Sequence, residues 1–543
     1  MTTDPQFDCI VRGGSVLDGT GSNPFDADIG IVDDLITSVG DLSRSLASVS
    51  IDARGCRVAP GFIDIHTHSD ISATYDPDQG SSIAMGVTTQ VVGNCGLALG
   101  HANSDPVFEF ERKWLAPHGA RIRWNTYAEF LDVVQSTGVA TNIVALSGHG
   151  TLRKRIMGQE DRPPTDAELL AMQRELGDAM AAGCWGFSSG LEYPPSAYAN
   201  EDELTELCRV LQRTGGFYAT HLRNEGDTLV EAVQEALNVS ERAGVPLQLS
   251  HHKAEGAANW GKIGVTLAMV DAARERGLDV QTDQYPYDAF MTALSIQVLP
   301  RWALAGAVEE TAAKLRDPEL RARIAADMRK SHPEWDDNSE SSHWRNLQIG
   351  VCRGRPELQG RSIADLSKHA GVNPIDFVLD LLAGVEGYVS AVCFAMGAED
   401  IATVMRYPWT SIGSDGVGTH PEGTGAADKV HPRAYGTFPR VLGHYVRDLA
   451  VLSEADAVHK MTGLPAARLG LPGRGVLAAG NFADITVYDP ATISDLATFA
   501  DPHRYATGIR TVLVNGRQAL KNDRPNAARA GRVLRKYEAS RKY

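Results

Sequence analysis

The segment Gly61-Phe-Ile-Asp-Ile-His66-Thr-His68 runs apolar residues into two histidines one residue apart. On an extended strand, residues i and i+2 project from the same face, so both imidazoles can reach one cation without bending the backbone. Neutral imidazole is the commonest metal ligand in proteins. Three more groups each close a short apolar run: Cys95 after TTQVVGN, His221 after FYAT and His251 after PLQLS. His221 and His251 are 30 residues apart, the length of one strand-plus-helix unit, which puts them on neighbouring strands at one level. Asp415, following TSIGS, completes the set. A thiolate with imidazoles and few carboxylates suits Zn²⁺, which in catalytic sites keeps one position open for water. Such a metal lowers the pKa of a water to near 7 and polarises a carbonyl. Hydrolysis of a carbonyl compound is therefore the expected chemistry, with Asp415 as the general base that orients water and returns its proton to the leaving nitrogen. Asp70, close to the two histidines, reads as a loop or helix-start residue rather than a ligand.

Eight β-type runs can position these groups: Phe62–Ile65, Thr88–Val92, Ile143–Leu146, Trp185–Phe187, Phe217–Thr220, Leu247–Ser250, Leu278–Thr282 and Thr410–Gly413. Amphipathic helical runs alternate with them. Thr165-Asp-Ala-Glu168 is a capping box ahead of Leu169, Met172, Leu176 and Met180, and Asp227 to Ala243 carries Leu229, Val233, Ala236 and Leu237 on one face. This alternation predicts an α/β fold, a TIM-like (β/α)₈ barrel over residues 61–471, with the reactive groups at the C-terminal strand ends where barrel active sites lie. The interval from Thr282 to Thr410 is too long for one unit, so an insertion or lid is expected over 288–350, holding the helical AVEETAAKLRDPELRARIAADMRK and the polar PEWDDNSESSHWRN. Tyr388–Phe394 also has strand character and disturbs a count of eight; Leu278–Thr282 is kept as strand seven, with Pro374–Leu382 as its helix. Residues 1–60 and 472–543 have short, turn-punctuated β runs, including the hairpin turn Asn515-Gly516, and predict one composite β-sandwich domain built from both chain ends.

The 543 residues are 43% hydrophobic and 22% charged, ordinary globular usage that excludes a disordered chain, a collagen or a long coiled coil. No stretch approaches about 18 consecutive apolar residues, and Met1–Cys9 has neither a basic nor an apolar leader region, so no membrane span or secretory signal is expected. A formal charge of −16 argues against a nucleic-acid partner, which needs a basic face, but leaves room for a small anionic substrate held by a few local cations. Seven cysteines, an odd number without close pairing, are not a disulfide framework, and a cytoplasmic protein is expected. Cys184, Cys208, Cys352 and Cys393 read as core thiols. Oligomeric state has no signal in the sequence.

The His-x-His at the first strand, single histidines after strands five and six, an Asp after strand eight and a β domain from both termini together resemble the amidohydrolase superfamily of metal-dependent hydrolases. More narrowly, GFIDIHTHSD, VVGNCG, THLRNE, SHHK, YPYDA, SDG and HPRAYGTFPRVLG resemble the D-aminoacylase (N-acyl-D-amino-acid deacylase) group, over nearly the whole chain. Many superfamily members bridge two metals with a carboxylated Lys after strand four; here that strand runs CWGFSSGLEYPP and has none. The resemblance assigns the bridge to Cys95, which with His221 and His251 would hold a tightly bound zinc. It gives His66 and His68 a second, weaker site and Asp415 the proton transfers. It also implies that Lys253, Arg433 and one of Tyr285 and Tyr287 surround the substrate carboxylate. A planar guanidinium fork, an ammonium and a phenol are well suited to that group.

The resemblance thus implies hydrolysis of an N-acyl-D-amino acid to a carboxylate and a free D-amino acid. A cyclic-amide hydrolase of the hydantoinase or dihydroorotase type is the alternative, opposed by the missing Lys and by HPRAYGTFPR; a metal-free scaffold is opposed by retention of every ligand position. Among weaker features, His149 in SGHGTLR follows strand three and is a candidate for lining the substrate pocket. His252 is expected to be structural, and Arg301 to be either a lid cation or a contact for an acidic substrate side chain.

Overall fold

Eight short strands, each buried along its whole length, make the central ring: β1 (Phe62–Asp64), β2 (Val87–Val92), β3 (Asn142–Gly148), β4 (Gly186–Gly190), β5 (Phe217–His221), β6 (Leu247–Leu249), β7 (Val280–Gln284) and β8 (Thr410–Ile412). Burial on both faces is what a parallel sheet covered by helices demands, and even the polar residues of the runs, such as Gln281, Asp283 and Gln284 of VQTDQ, are buried. The computed structural model describes residues 6–306, 308–331, 342–385, 388–422 and 425–539. The strands pair in parallel in chain order from β1 to β7, and β8 pairs with β7. Ring closure falls just beyond β1 and β8, where Thr67 bridges Gly416, Asp415 N–H donates to the His66 carbonyl at 2.8 Å and His68 N–H donates to the Gly416 carbonyl at 2.8 Å.

The helices between strands begin where their sequence caps them. Thr165 and Glu168 form the reciprocal capping box of the helix Asp166–Ala182, whose Met172, Leu176 and Met180 are buried against the sheet. The helix Leu229–Ala243 buries Leu229, Val233, Ala236 and Leu237, matching the expected face. Pro374–Leu382 does form a helix, Pro374–Gly384, but not the one that covers strand seven. That place is taken by Ala398–Arg406, which packs on β7, β8 and the helix Lys262–Glu275, while Pro374–Gly384 packs within the insertion. Amphipathicity identified a helix correctly there and could not say which surface it covers.

The insertion is longer than residues 288–350. Its strands Ala289–Ala293, Val389–Phe394 and Leu347–Cys352 form an antiparallel sheet with Val389–Phe394 in the middle. The run that disturbed the count of eight is thus this small sheet's central strand, and the inserted unit extends past it. Three strands with a covered face is the least that a small sheet needs for stability of its own. The helical stretch splits into Val308–Arg316 and Pro318–Ser331, with Asp317 accepting from the Glu319 and Leu320 N–H groups at the break. Residues 332–341 of the polar loop lie outside the described residues; Ser342–Asn346 is a short helix.

Both chain ends contribute to one nine-stranded sheet. The strand Arg57–Pro60 pairs antiparallel with Ile485–Tyr488, joining the two ends, and the sheet branches at Phe7–Val16, which carries partners on both edges. Ile10, Val11, Ile29, Ile31, Ile485 and Leu513 are fully buried there. The C-terminal tail then returns to the barrel: Ile143 N–H donates to the Arg532 carbonyl at 2.8 Å and Trp185 Nε1–H to the Leu534 carbonyl at 2.6 Å, at the starts of β3 and β4. Among the described residues no helix is long and apolar enough to cross a membrane.

Candidate metal-binding active site

The C-terminal ends of β1, β2, β5, β6 and β8 bring His66, His68, Cys95, His221, His251 and Asp415 together. His66 Nε2 lies 3.3 Å from Cys95 Sγ, His251 Nε2 lies 3.4 Å from the same sulfur, and His221 Nδ1 lies 2.9 Å from His251 Nε2. Cys95, His221 and His251 form one set of donor atoms, all within 4.8 Å of one another; His66, His68, Cys95 and Asp415 form a second, sharing the sulfur. All are buried or nearly so. Cys95 (φ 53°), His251 (φ 35°) and Asp415 (φ 50°) adopt left-handed backbone conformations. Such φ values are uncommon for residues with side chains and concentrate where function fixes the geometry.

The second nitrogen of three of these imidazoles meets a carboxylate. His221 Nε2 is 2.9 Å from Glu192, His251 Nδ1 is 3.1 Å from Glu225, and His66 Nδ1 is 3.2 Å from Asp283. A carboxylate behind each imidazole fixes its orientation and raises its basicity, the outer arrangement that protein metal sites use. The opposed nitrogens of His221 and His251, together with a thiol that its neighbours hold ionised, are a donor set that fits a borderline-soft divalent cation.

Electrostatics point the same way. Burial alone would push the Cys95 thiol up, but His66 and His251 beside it pull it well below its ordinary range. Burial would likewise lower His221, yet Glu225, Cys95 and Glu192 raise it to about 10. His68 is raised to about 9, against burial, by Asp415 and Cys95. Burial opposes ionisation of Asp415 too, and is outweighed by Arg433, His68 and His66, which hold the carboxyl well below the usual range. The protons on these imidazoles occupy the positive role that a bound cation takes over, so metal uptake releases protons.

Beside this cluster stands a cationic and phenolic wall. Arg433 Nη1 lies 2.9 Å from Asp415 Oδ2, Lys253 Nζ lies 2.5 Å from Glu225, and both cations face the Tyr285 ring, at 4.8 Å and 5.9 Å from its centroid. The Tyr285 hydroxyl is buried with no hydrogen-bond partner among the described residues. Tyr287 points elsewhere, under the helix Arg433–Arg440, with Arg440 4.9 Å from its ring and its hydroxyl donating to the Pro432 carbonyl at 3.5 Å. Sequence alone left these tyrosines equivalent; the structure brings Tyr285 to the site. Arg433 starts its helix from a fixed turn, where its N–H donates to His431 Nδ1 at 3.0 Å and His431 Nε2 donates to the Ala289 carbonyl at 2.8 Å.

His149 is not brought to a substrate surface. It is fully buried, its Nδ1 paired with Ser196 at 2.5 Å and its Nε2 with Glu203 at 2.9 Å, so neither nitrogen remains for a ligand. It braces the segment after β4 instead. His252 is buried on Thr266, at 2.8 Å, and Asp70 is buried and accepts from the Leu99 N–H at 2.8 Å, which steadies the loop after Cys95. Arg301 lies over the Tyr198 ring at 5.2 Å. Sequence reasoning missed Glu192, Tyr193, Glu225 and Asp283. Asp283 had a usable signal, because it immediately follows the run Leu278–Thr282, by the same rule that found the other groups. Glu225 stood inside THLRNE, and Glu192 and Tyr193 follow β4 in GLEYPP, yet nothing in their spacing pointed them at an imidazole.

Comparison with known proteins agrees with this architecture. The chain is 38% identical over 531 residues to a D-aminoacylase of Alcaligenes xylosoxydans xylosoxydans, covering 97% of each chain. A crystal structure of a D-aminoacylase superposes with a TM-score of 0.81 at 36% identity, covering 97% of this chain and 100% of that one. An N-acyl-D-glutamate deacylase of Bordetella bronchiseptica, solved with zinc and a phosphonate mimic of the tetrahedral intermediate, gives 0.81 at 33% identity, covering 97% and 99%. The model of the amidohydrolase family matches residues 50–519, and the protein belongs to that family.

Proposed function

We propose that the protein hydrolyses the amide bond of N-acyl-D-amino acids, giving a carboxylate and a free D-amino acid, with zinc as its metal. The observation that carries this reading is the position of Asp415: Oδ1 faces His68 at 3.0 Å and Oδ2 is held by Arg433 at 2.9 Å, so one carboxylate lies between the metal-ligand cluster and the cationic wall. An open-chain N-acyl amino acid offers a carboxylate to Arg433, Lys253 and the Tyr285 hydroxyl; a cyclic amide of the hydantoin type has no free carboxylate for that wall to bind. The zinc and D-substrate assignments draw support from the relatives' chemistry.

Cys95, His221 and His251 would hold the metal most closely, with His66 and His68 completing the second donor set. When bound, zinc supplies Lewis acidity that polarises an amide carbonyl and lowers the pKa of a water. The chain's own residues do the rest. Arg433, Lys253 and Tyr285 fix the substrate carboxylate and with it the distance of the amide from Asp415. Asp415, held ionised, takes the proton of the attacking water and delivers it to the nitrogen as the C–N bond breaks. Burial of the cluster excludes bulk water and strengthens each of these interactions. We also propose a cytoplasmic location, supported by seven cysteines that all remain unpaired.

The test is amine release from paired N-acetyl-D- and N-acetyl-L-amino acids by metal-depleted protein with and without zinc, alongside Asp415→Asn. Zinc-dependent release from the D-series, abolished in the variant, is expected. Release from cyclic amides alone would overturn the assignment.

A further inference from the structure

Tyr193 stands in this site without a part in the steps above. Its ring packs on His221 with centroids 4.7 Å apart, and its hydroxyl lies 3.5 Å from His221 Nδ1, the nitrogen that faces Cys95 and His251. From the other side Thr292, on the insertion strand Ala289–Ala293, donates its hydroxyl to the phenol oxygen at 3.4 Å. The turn carrying Tyr193 is fixed to the site: Leu191 N–H donates to the His221 carbonyl at 3.1 Å and Tyr193 N–H to the Gly190 carbonyl at 3.0 Å. Gly190 leaves space for the ring, since a Cβ there would come within 2.9 Å of Tyr193 Cδ2. Further on, the His149–Ser196 pair anchors the same segment.

The hydroxyl has one proton to give. It accepts from Thr292, and His221 Nδ1 lies 3.5 Å from it, at the long end of hydrogen-bond distance. The other nitrogen of that ring is held by Glu192, so the Nδ1 lone pair is the one offered to a cation. With that lone pair engaged by a metal, Nδ1 cannot accept from the phenol, and an O–H beside the donor cluster would be left to serve a substrate carbonyl oxygen as it gains charge. Preorganised donors aimed at such an oxygen are among the largest contributions to acyl-transfer catalysis.

We propose that Tyr193 is a catalytic hydrogen-bond donor to the scissile carbonyl oxygen, and that Thr292, delivered by the insertion, is the positioning residue that aims it. The inference rests on the amide-hydrolysis reading above. As the water oxygen bonds to the carbonyl carbon, the π pair moves onto the carbonyl oxygen, which Tyr193 stabilises without giving up its proton. The proton lost by water goes to Asp415, and on collapse the carbonyl re-forms, the C–N bond breaks and the nitrogen takes that proton. The insertion thereby supplies part of the catalytic apparatus.

The experiment uses zinc-loaded full-length protein: wild type, Tyr193→Phe, Thr292→Val and Thr292→Ser. It measures kcat and KM for an N-acetyl-D-amino acid, metal content, and inhibition by an N-phosphonyl D-amino acid, a tetrahedral mimic, beside the free D-amino acid product. For Tyr193→Phe we expect kcat to fall about 10²–10³-fold with KM changed less than about twofold and metal content intact. Phosphonate affinity should fall with kcat while product affinity holds. Thr292→Val should give a smaller loss in kcat, with Thr292→Ser recovering it. A Tyr193→Phe enzyme within about threefold of wild-type kcat overturns the proposal, as does equal weakening of phosphonate and product, or loss of metal from that variant. A wild type that releases no amine from any N-acyl-D-amino acid overturns the hydrolysis reading itself, and this one with it.

Discussion

Arg433 Nη1 lies 2.9 Å from one oxygen of the Asp415 carboxylate, while the other oxygen lies 3.0 Å from His68 Nε2. In the proposed mechanism the arginine therefore serves the proton-transfer residue and the substrate-facing wall at once, and losing it should show in two measurements. In Arg433→Gln, KM for the acyl amino acid should rise at least about tenfold, since the bidentate fork for a carboxylate is gone. The acid limb of kcat/KM should also move to higher pH. In that mechanism Asp415 works ionised, and without the guanidinium its pKa climbs back from well below 3.8, so protonation should inactivate it sooner as pH falls. A pH–rate profile with an unmoved acid limb would count against this coupling.

Glu225 accepts from Lys253 at 2.5 Å and meets His251 Nδ1 at 3.1 Å. Glu225→Gln keeps the shape but removes the charge behind the imidazole. Zinc affinity measured by chelator competition should fall about 10–100-fold. Unchanged affinity would mean that this carboxylate serves Lys253 alone.

Gly190 packs so closely that a Cβ would fall 2.2 Å from the Cys95 carbonyl oxygen. Gly190→Ala must therefore displace the backbone of the shared sulfur ligand. We expect a loss of about 1–3 kcal/mol in stability, as for other overpacking changes, together with reduced zinc stoichiometry by elemental analysis. Wild-type metal content at reduced stability would show that the loop shifts without moving the thiolate.

His101 is buried on Ser147 at 2.7 Å and is pushed down from 6.5 to about 3 by burial and by Arg155. The folded chain keeps it neutral while the unfolded chain protonates it, so its contribution to stability is complete above about pH 6.5 and is lost as pH falls toward about 3. The expected slope is about 1.4 kcal/mol per pH unit for this one group. Denaturant titrations between pH 7 and 5 check it, and His101→Asn should flatten the slope over that window.

The clustering of these groups was readable because each obeys one rule: a reactive side chain immediately follows a short apolar run. His66, Cys95, His221, His251 and Asp415 all do so, and the barrel follows from the same runs. Reading became harder where a residue's meaning depends on what packs on it. Pro374–Gly384 has the pattern of a barrel helix and covers the insertion; Tyr285 and Tyr287 share a motif and diverge because one backs onto Arg440 and the other onto Lys253 and Arg433. His149 looks like a pocket residue from its neighbours in sequence, yet Ser196 and Glu203, some fifty positions on, use both of its nitrogens. Contacts at that separation leave no local trace in a single sequence.

The seam where Thr67 meets Gly416 joins the first strand of the ring to the last, and across it His68 and Asp415 stand 347 positions apart. A ribosome must therefore deliver almost the whole barrel before the ring can shut, and contacts of such separation form late. Until then the histidines and the thiol lack Asp415, the proposed proton carrier, and Arg433, the guanidinium of the proposed substrate wall. In the proposed mechanism chemical competence is thus withheld until the barrel's last strand has been made, and that strand works as a quality-control step written into the topology.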